Sequence, residues 1–355
     1  MHLTITYEIL NVFNSKPFSG NPAAVVILDG HEKEQVESGE LHLKIAAQIN
    51  TPATAFISRR NDSPDYDIRW FNSNYELGLC GHATLAAART LLSQRILSPK
   101  LTKGTANGST NGSMGGSTKM QRFRSQSGAL LQTKELPNGY LELECPQIFV
   151  APLTKTCREE EIREITRLVA GALCNKQTVV IVDIGRATGG FEDWLQVEVA
   201  LLQGTQLKDL PINLEAIVSD FGSALNRPLY SLWIFQQKRL GHFGIKKFHI
   251  TARGNLSPTS LSTSPGDCHF LSRFFAPHLG YDEDQVTATM HNLLAPYWTQ
   301  KFRTSLGVDP RIELVLKACQ ASPREGILEL VWKEREGTVL IRGDVVVAGR
   351  GELFI

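Results

Sequence analysis

The chain has 355 residues, 42% hydrophobic and 21% charged, with a formal net charge of +1 at pH 7. Domains usually hold about 100–200 residues, so two are expected, and a net charge this small leaves no electrostatic footprint for nucleic acid. The longest apolar-rich runs, Ala23–Leu28 and Ala83–Ala88, fall far short of the roughly 18 residues that a membrane-crossing helix needs, so no membrane partner is expected.

Taken in order, MHLTITYEILNVF alternates apolar and polar residues and predicts a strand over Leu3–Phe13. It lacks the basic region and long apolar core of a secretory signal, which sets the expectation of a cytoplasmic protein. A strand follows at Ala23–Leu28, a helix at Leu41–Ile49, and strands at Ala53–Ser58 and Asp67–Phe71. The next helix, about His82 to Leu92, is apolar on nearly every face, and its alanines permit close approach all round. It should be the buried core of the first domain.

From Ser98 to Gln126 the chain is rich in Gly, Ser, Thr and Asn with little to bury, which predicts a flexible insertion whose residues 104–118 are dispensable for folding. Its basic end, Lys119, Arg122 and Arg124, reads as a solvated loop. Beyond it come strands at Ala129–Thr133 and Tyr140–Cys145, a helix at Glu159–Leu173, and strands at Thr178–Asp183 and Leu195–Val199. A helix at Asn213–Ala224, strands at Tyr230–Gln236 and Lys247–Ala252, and a helix from near Val286 complete the second half. The tail, Arg311–Ile355, alternates as strands broken by turns at Arg324-Glu-Gly and Arg335-Glu-Gly. The two halves read as a pseudo-repeat, with Glu76 preceding Gly81-His82 by the interval at which Glu283 precedes Ala288-Thr289.

Cysteines 80, 145, 157, 174, 268 and 319 form no CxxC pair, and the nine histidines form no HExxH. His31, His42, His242 and His249 look like isolated surface or strand positions. Reduced thiols, no metal and no cofactor are the expectation.

Three segments, NVFNSKPFSGNPAAVVIL at 11–28, WFNSNYELGLCGHATLAAARTLL at 70–92 and SRFFAPHLGYDEDQVTATMHNLLAPYW at 272–298, carry a resemblance to a known family. With Gln320-Ala-Ser, Arg324-Glu-Gly, Gly343 and Gly351 in the tail, the chain resembles the PhzF-like phenazine-biosynthesis isomerase family over about 300 residues. The resemblance implies an α/β fold of the diaminopimelate-epimerase-like kind: two pseudo-repeated domains, each a curled, mostly antiparallel sheet around a central helix. Residues 1–97 with about 345–355 would form the first domain and 127–344 the second, separated by the insertion at 98–126. It also implies a homodimer and an active site in the cleft between domains.

Within that site the resemblance makes His82 and Asp284 the catalytic candidates, and Asn21, Gly81, Ala53, Ala288, Thr289 and Met290 the substrate-binding candidates. Physically, helix N-termini at Gly81 and Ala288 would favour a carboxylate or enolate, because backbone N–H groups and the helix dipole point there. Each residue also has a plainer reading: His82 as a cap in a buried loop, Asn21 as a turn residue before Pro22, Asp284 as a helix cap, Cys80 as a packed thiol.

The departures from the family bear directly on chemistry. The family's Ser-Glu-Thr-Ala-Phe carries the glutamate that moves a proton between substrate carbons; here the segment is Pro52-Ala-Thr-Ala-Phe56, with Ala53 at that position. A methyl group moves no protons. Ala288 stands for glycine, Thr289 for serine and Met290 for alanine, adding bulk at the second helix start. The implied function is a cofactor-independent isomerase or cyclase of specialised metabolism acting without the glutamate. The alternatives are a lyase (dehydratase) and a catalytically silent metabolite- or protein-binding homologue.

Overall fold

The alternation at the N-terminus becomes the strand Thr4–Val12 (β1) in the computed structural model, which describes residues 3–28, 38–60, 63–97, 120–173, 178–202, 204–214, 245–257, 267–277 and 281–355. After it come Asn21–Ile27 (β2), helix Gly39–Ile49 (α1), Ala53–Arg59 (β3), Tyr66–Phe71 (β4), Glu76–Leu77 (β5) and helix Gly81–Leu97 (α2). Next are Met120–Ser125 (β6), Leu130–Glu135 (β7), Leu141–Pro146 (β8), Val150–Pro152 (β9), a single helical turn at Leu153–Thr156 and helix Glu159–Ala172 (α3). Strands Val179–Ala187 (β10), Trp194–Leu201 (β11), Lys247–Arg253 (β12), Phe270–Ala276 (β13) and Tyr281–Asp284 (β14) lead into helix Ala288–Leu306 (α4). The tail forms Val315–Gln320 (β15), Gly326–Lys333 (β16), Thr338–Gly343 (β17) and Val345–Phe354 (β18).

The chain divides into two units, Met1–Cys145 with Leu340–Ile355, and Pro146–Val339. In the first, β1 pairs antiparallel with β18 and β2, β2 runs parallel to β3, β4 pairs antiparallel with β3 and β5 and parallel with β6, and β7 pairs antiparallel with β6 and β8. In the second, β9 pairs antiparallel with β10, and β10 through β16 repeat the order of β1 through β7: antiparallel, parallel, antiparallel, antiparallel, parallel, antiparallel. The long helix falls between the fifth and sixth strands both times. The pseudo-repeat read from the sequence is therefore a repeat of strand pairing.

Each long helix is enclosed because it lacks a polar face. Ala83, Leu85, Ala86, Ala87 and Ala88 of α2 are completely buried, and the helix packs on β1, β2, β3 and β18. Small side chains let the strands come near from several directions, whereas one bulky residue would force them apart. In α4, Met290, Leu293, Leu294, Ala295, Trp298 and Phe302 are buried, with Trp298 stacked on Phe270 at a centroid distance of 5.6 Å. Burying a large side chain contributes roughly 1.5–3 kcal/mol, so these helices anchor their units.

The first domain extends further than the sequence suggested. Residues 120–125 of the expected insertion form β6, with Phe123 completely buried, and β7 and β8 continue that sheet instead of opening the second domain. The physical cause is the parallel pairing of β6 with β4, which ties this segment to the first sheet. Arg122 and Arg124 lie on this strand and not in a loop: their side chains stay solvated, 43% and 42% exposed, while reaching within 2.8 and 4.0 Å of the buried carboxylate of Asp65. Residues 98–119, most of the helix expected at 213–224, the strand expected at 230–236, and His31, Cys174 and His242 lie outside the described residues. Among the described residues no helix is long and apolar enough to cross a membrane.

His42 is neither a surface nor a strand residue. It lies in the apolar cluster under α1, stacked on Phe56 at 4.2 Å, with neither ring nitrogen hydrogen-bonded. Burial, reinforced by Arg69, lowers its pKa to about 4. The unfolded chain therefore binds a proton below pH ~6.5 that the folded chain refuses. The stability this residue contributes is present above that pH and is lost as pH falls toward 4. Denaturant titrations at pH 7 and pH 5 should show a smaller acid loss for His42→Leu than for the wild type; equal losses would refute this origin.

Candidate functional site

Immediately before each central helix the chain makes the same clamp. Arg69 on β4 donates through Nε and a terminal nitrogen to both oxygens of Glu76 on β5, each at 2.8 Å, and its guanidinium lies 5.0 Å from the Phe71 ring centre. On β13, Arg273 does the same with Glu283 on β14, at 2.8 and 2.9 Å, and lies 4.9 Å from the Phe275 ring. Planar guanidinium and carboxylate groups match in two parallel bonds, which fixes the angle of the hairpin as well as its length. Glu76 titrates below its ordinary range because of Arg69. The interval from Glu76 to Gly81 and from Glu283 to Ala288, visible in the sequence, is the spacing from clamp to helix.

The helix starts share a second device. Thr84 Oγ1 donates to the carbonyl of Cys80 at 2.8 Å, and His291 Nδ1 contacts the carbonyl of Thr287 at 2.8 Å, each reaching back four residues to the position before the helix. A carbonyl only accepts, so His291 carries its proton on Nδ1.

In the first unit, His82 is buried in the first turn of α2 with its Nδ1 3.4 Å from Cys80 Sγ. Gly81 opens the helix beside it. Asn21 is completely buried at the start of β2, opposite Val12. The preceding Gly20 has φ +73°, and a Cβ there would lie 2.4 Å from the Val12 carbonyl oxygen, so the turn that delivers Asn21 requires glycine. Ala53 begins β3, completely buried opposite Ala23; the hydroxyl of Thr51 donates to its carbonyl at 3.0 Å. No carboxylate stands at position 53.

In the second unit, Asp284 is buried at the end of β14 and accepts the Thr287 hydroxyl at 2.6 Å. Thr287 is the N-cap of α4, yet its side chain makes no capping bond to the helix; it serves Asp284 instead. Gln320 on β15 donates to the Asp284 carbonyl and accepts from the Thr287 amide, both at 2.7 Å, and Ser322 donates to the Gln285 carbonyl at 2.5 Å. Ala288 and Met290 are buried, and Thr289 is half-buried. Met290 is thus packed in the core of its unit, completely inaccessible.

Each unit therefore carries a helix start with one acid–base group beside it, His82 in one and Asp284 in the other. Sequence reading missed Arg69, Thr84, Arg273, His291 and Gln320. A signal for the arginines was present in Arg69-Trp-Phe71 and Arg273-Phe-Phe275, the same arginine and phenylalanine spacing in each half. Among the described residues no three His, Cys, Asp or Glu side chains cluster to hold a metal ion.

Losing Arg273 would leave Glu283 as an unpaired charge, side-chain exposure 14%, and free the Leu207 and Leu210 carbonyls that Arg273 also binds. Arg273→Ala should cost about 3–5 kcal/mol of stability, and Lys should recover little because it lacks the planar fork. Arg69→Ala should cost less, its pair being more exposed at 23% and 32%. Urea unfolding measures both; a neutral Arg273→Lys would contradict the bidentate account.

Comparison with known proteins agrees with this architecture. Residues 10–221 and 245–351 match the family model described as phenazine biosynthesis-like protein, PhzC-PhzF. The chain is 28% identical to an uncharacterized isomerase of Pseudomonas aeruginosa, covering 99% of each, and 26% identical to the human phenazine biosynthesis-like domain-containing protein, covering 97% of each. A PhzF-family crystal structure from Enterococcus faecalis superposes with a TM-score of 0.66 at 25% identity, over 99% of this chain and 100% of that one. One from Clostridium difficile gives 0.59 at 26% identity, covering 99% and 100%. With the repeated sheet, a central helix in each unit and these matches together, the chain belongs to the PhzC-PhzF, phenazine biosynthesis-like family and has its diaminopimelate-epimerase-like fold.

Proposed function

We propose that the protein is a cofactor-independent small-molecule isomerase or cyclase of specialised metabolism whose proton chemistry runs through His82 and Asp284 in place of a glutamate at position 53. The observation that supports this most is the buried, hydrogen-bonded Asp284, fixed by Thr287 at the start of α4 while Thr287 forgoes its capping bond. A carboxylate buried to 8% exposure and oriented by a hydroxyl at 2.6 Å is arranged as a positioned acid–base group would be. His82 offers the complementary group, an imidazole, the side chain most often used to move protons in catalysis. The family resemblance joins the two into one reaction.

In this reading the backbone amides at Gly81 and around Ala288 and Thr289 stabilise a substrate carboxylate or the enolate that forms when a proton leaves the adjacent carbon. Asn21 orients the substrate, and Ala53 and Met290 shape the space. His82 removes or returns the proton, with Cys80 Sγ fixing its ring, and Asp284 serves as the second acid–base group. Loss of water in place of proton return would make the same arrangement a dehydratase. The relatives called isomerases favour the isomerase. A homodimer in the cytoplasm is part of the same proposal. The second reading, a silent metabolite- or protein-binding homologue, is favoured by the methyl group at position 53 and the packed Met290.

The test is incubation with extracts of the producing cell, following mass-neutral and minus-water products by mass spectrometry. His82→Ala and Asp284→Asn should each cost about 2–4 kcal/mol in transition-state stabilisation, a loss of turnover of roughly 30- to 1000-fold, with unchanged far-UV circular dichroism. Full turnover in both variants would remove these residues from the mechanism, and no turnover by the wild type in any fraction would favour the binding protein.

A further inference from the structure

Behind Asp284 lies a closed set of buried polar groups that the proposed chemistry does not use. Ser272 on β13, Gln320 on β15 and His291 in α4 are all completely inaccessible. Ser272 and Gln320 are direct partners in the parallel pairing of β13 with β15, so they lie side by side beneath the start of α4. His291 is stacked against Phe270 at 6.0 Å, and burial lowers its pKa to about 4, leaving it neutral at physiological pH. With its proton on Nδ1 and directed to the Thr287 carbonyl, its Nε2 accepts, and the Ser272 hydroxyl at 3.4 Å donates.

Bonds therefore run from Ser272 to His291, from His291 to the Thr287 carbonyl, from the Thr287 amide to Gln320, and from Gln320 to the Asp284 carbonyl. The Thr287 hydroxyl closes the set on the Asp284 carboxylate. Both backbone polar groups of Thr287 and its side chain are thereby committed. Every rotation that would turn its hydroxyl away from Asp284 breaks at least one buried bond, and a buried polar group without a partner is expensive.

We propose that His291 and Gln320 are positioning residues: they hold Thr287 so that its hydroxyl orients the Asp284 carboxylate. An apolar core would fill this space at lower cost, and replacing a buried polar set with packed hydrocarbon is often neutral or stabilising. The set is instead polar, and its bonds converge on Thr287 and Asp284, with Ser272 occupying the far nitrogen of His291. The first unit uses one threonine, Thr84, for the corresponding back-bond, so an imidazole is more than helix initiation requires. The inference rests on Asp284 acting as proposed above, but its core can be measured without a substrate.

The test compares His291→Leu, His291→Asn, Gln320→Leu and the wild-type chain. Asparagine places an amide N–H near the position of Nδ1 and keeps the bond to Thr287; leucine does not. Amide hydrogen exchange followed by NMR should show residues 285–288 exchanging at least 10-fold faster in His291→Leu and Gln320→Leu than in the wild type. Amides in the middle of α4 should be unchanged, and His291→Asn should restore the slow rates. Turnover of the active extract fraction should follow the same order, with kcat falling more than KM rises. Wild-type exchange at 285–288 in both leucine variants, or failure of asparagine to rescue, would overturn the brace. If His291→Leu does not fold, Gln320→Leu and the asparagine variant decide the matter by the same readout. If exchange behaves as stated but Asp284→Asn keeps full turnover, the brace stands and the catalytic reading of Asp284 falls.

Discussion

The bidentate arginine–glutamate clamp that closes the short hairpin before each central helix is the constraint on which the rest depends. A strand of two residues, such as Glu76–Leu77, has too few ladder bonds to hold its own direction. The two parallel bonds from Arg69, and in the second unit from Arg273, supply that direction, and the phenylalanine beneath each guanidinium fixes its plane. Only a few residues separate clamp from helix, so the first helical turn inherits the geometry. His82 and Asp284 are placed by it.

On the proposed reading, placement of this kind lets the fold keep a reactive site while its chemistry changes. Strand β3 delivers whatever residue occupies position 53, and the pairing of Ala23 with Ala53 would be the same with another side chain there. The helix starts, by contrast, are tied to clamps, back-bonds and, in the second unit, to Gln320 and His291. A change of residue at position 53 leaves those ties untouched. On the proposed reading, the glutamate was dispensable to the architecture and the helix starts were not.

Much of this was legible in the sequence, and the reasons differ by element. β1 and β16 announce themselves by alternation, and α2 by an apolar run too small-sided to lie on a surface. The repeat showed in element order and in the interval from Glu76 and Glu283 to the helices. β13 did not: FLSRFFA is apolar on both faces because helix and sheet cover it, and Arg273 interrupts it for a partner ten residues away. The end of the polar tract reads as a loop because MQRFRS is mostly polar: the buried face of the strand is Gln121, Phe123 and Ser125, of which only Phe123 is apolar, and its place is set by pairing with β4. Gln320 stands in a segment that carries the resemblance, but its role, like that of His291, did not show, for a simpler reason. Their role depends on two strands and a helix meeting at Thr287, which no local pattern encodes.

The most direct measurement is turnover by Ala53→Glu, assayed on the same extract fractions as the wild type. If proton chemistry has moved to His82 and Asp284, the new carboxylate should leave native turnover unchanged or lower it, because it places a charge in a buried space that now holds a methyl group. If Ala53→Glu instead shows the first measurable activity, where the wild type shows none, the protein is a disarmed member of its family, and His82 and Asp284 have not taken over the glutamate's chemistry.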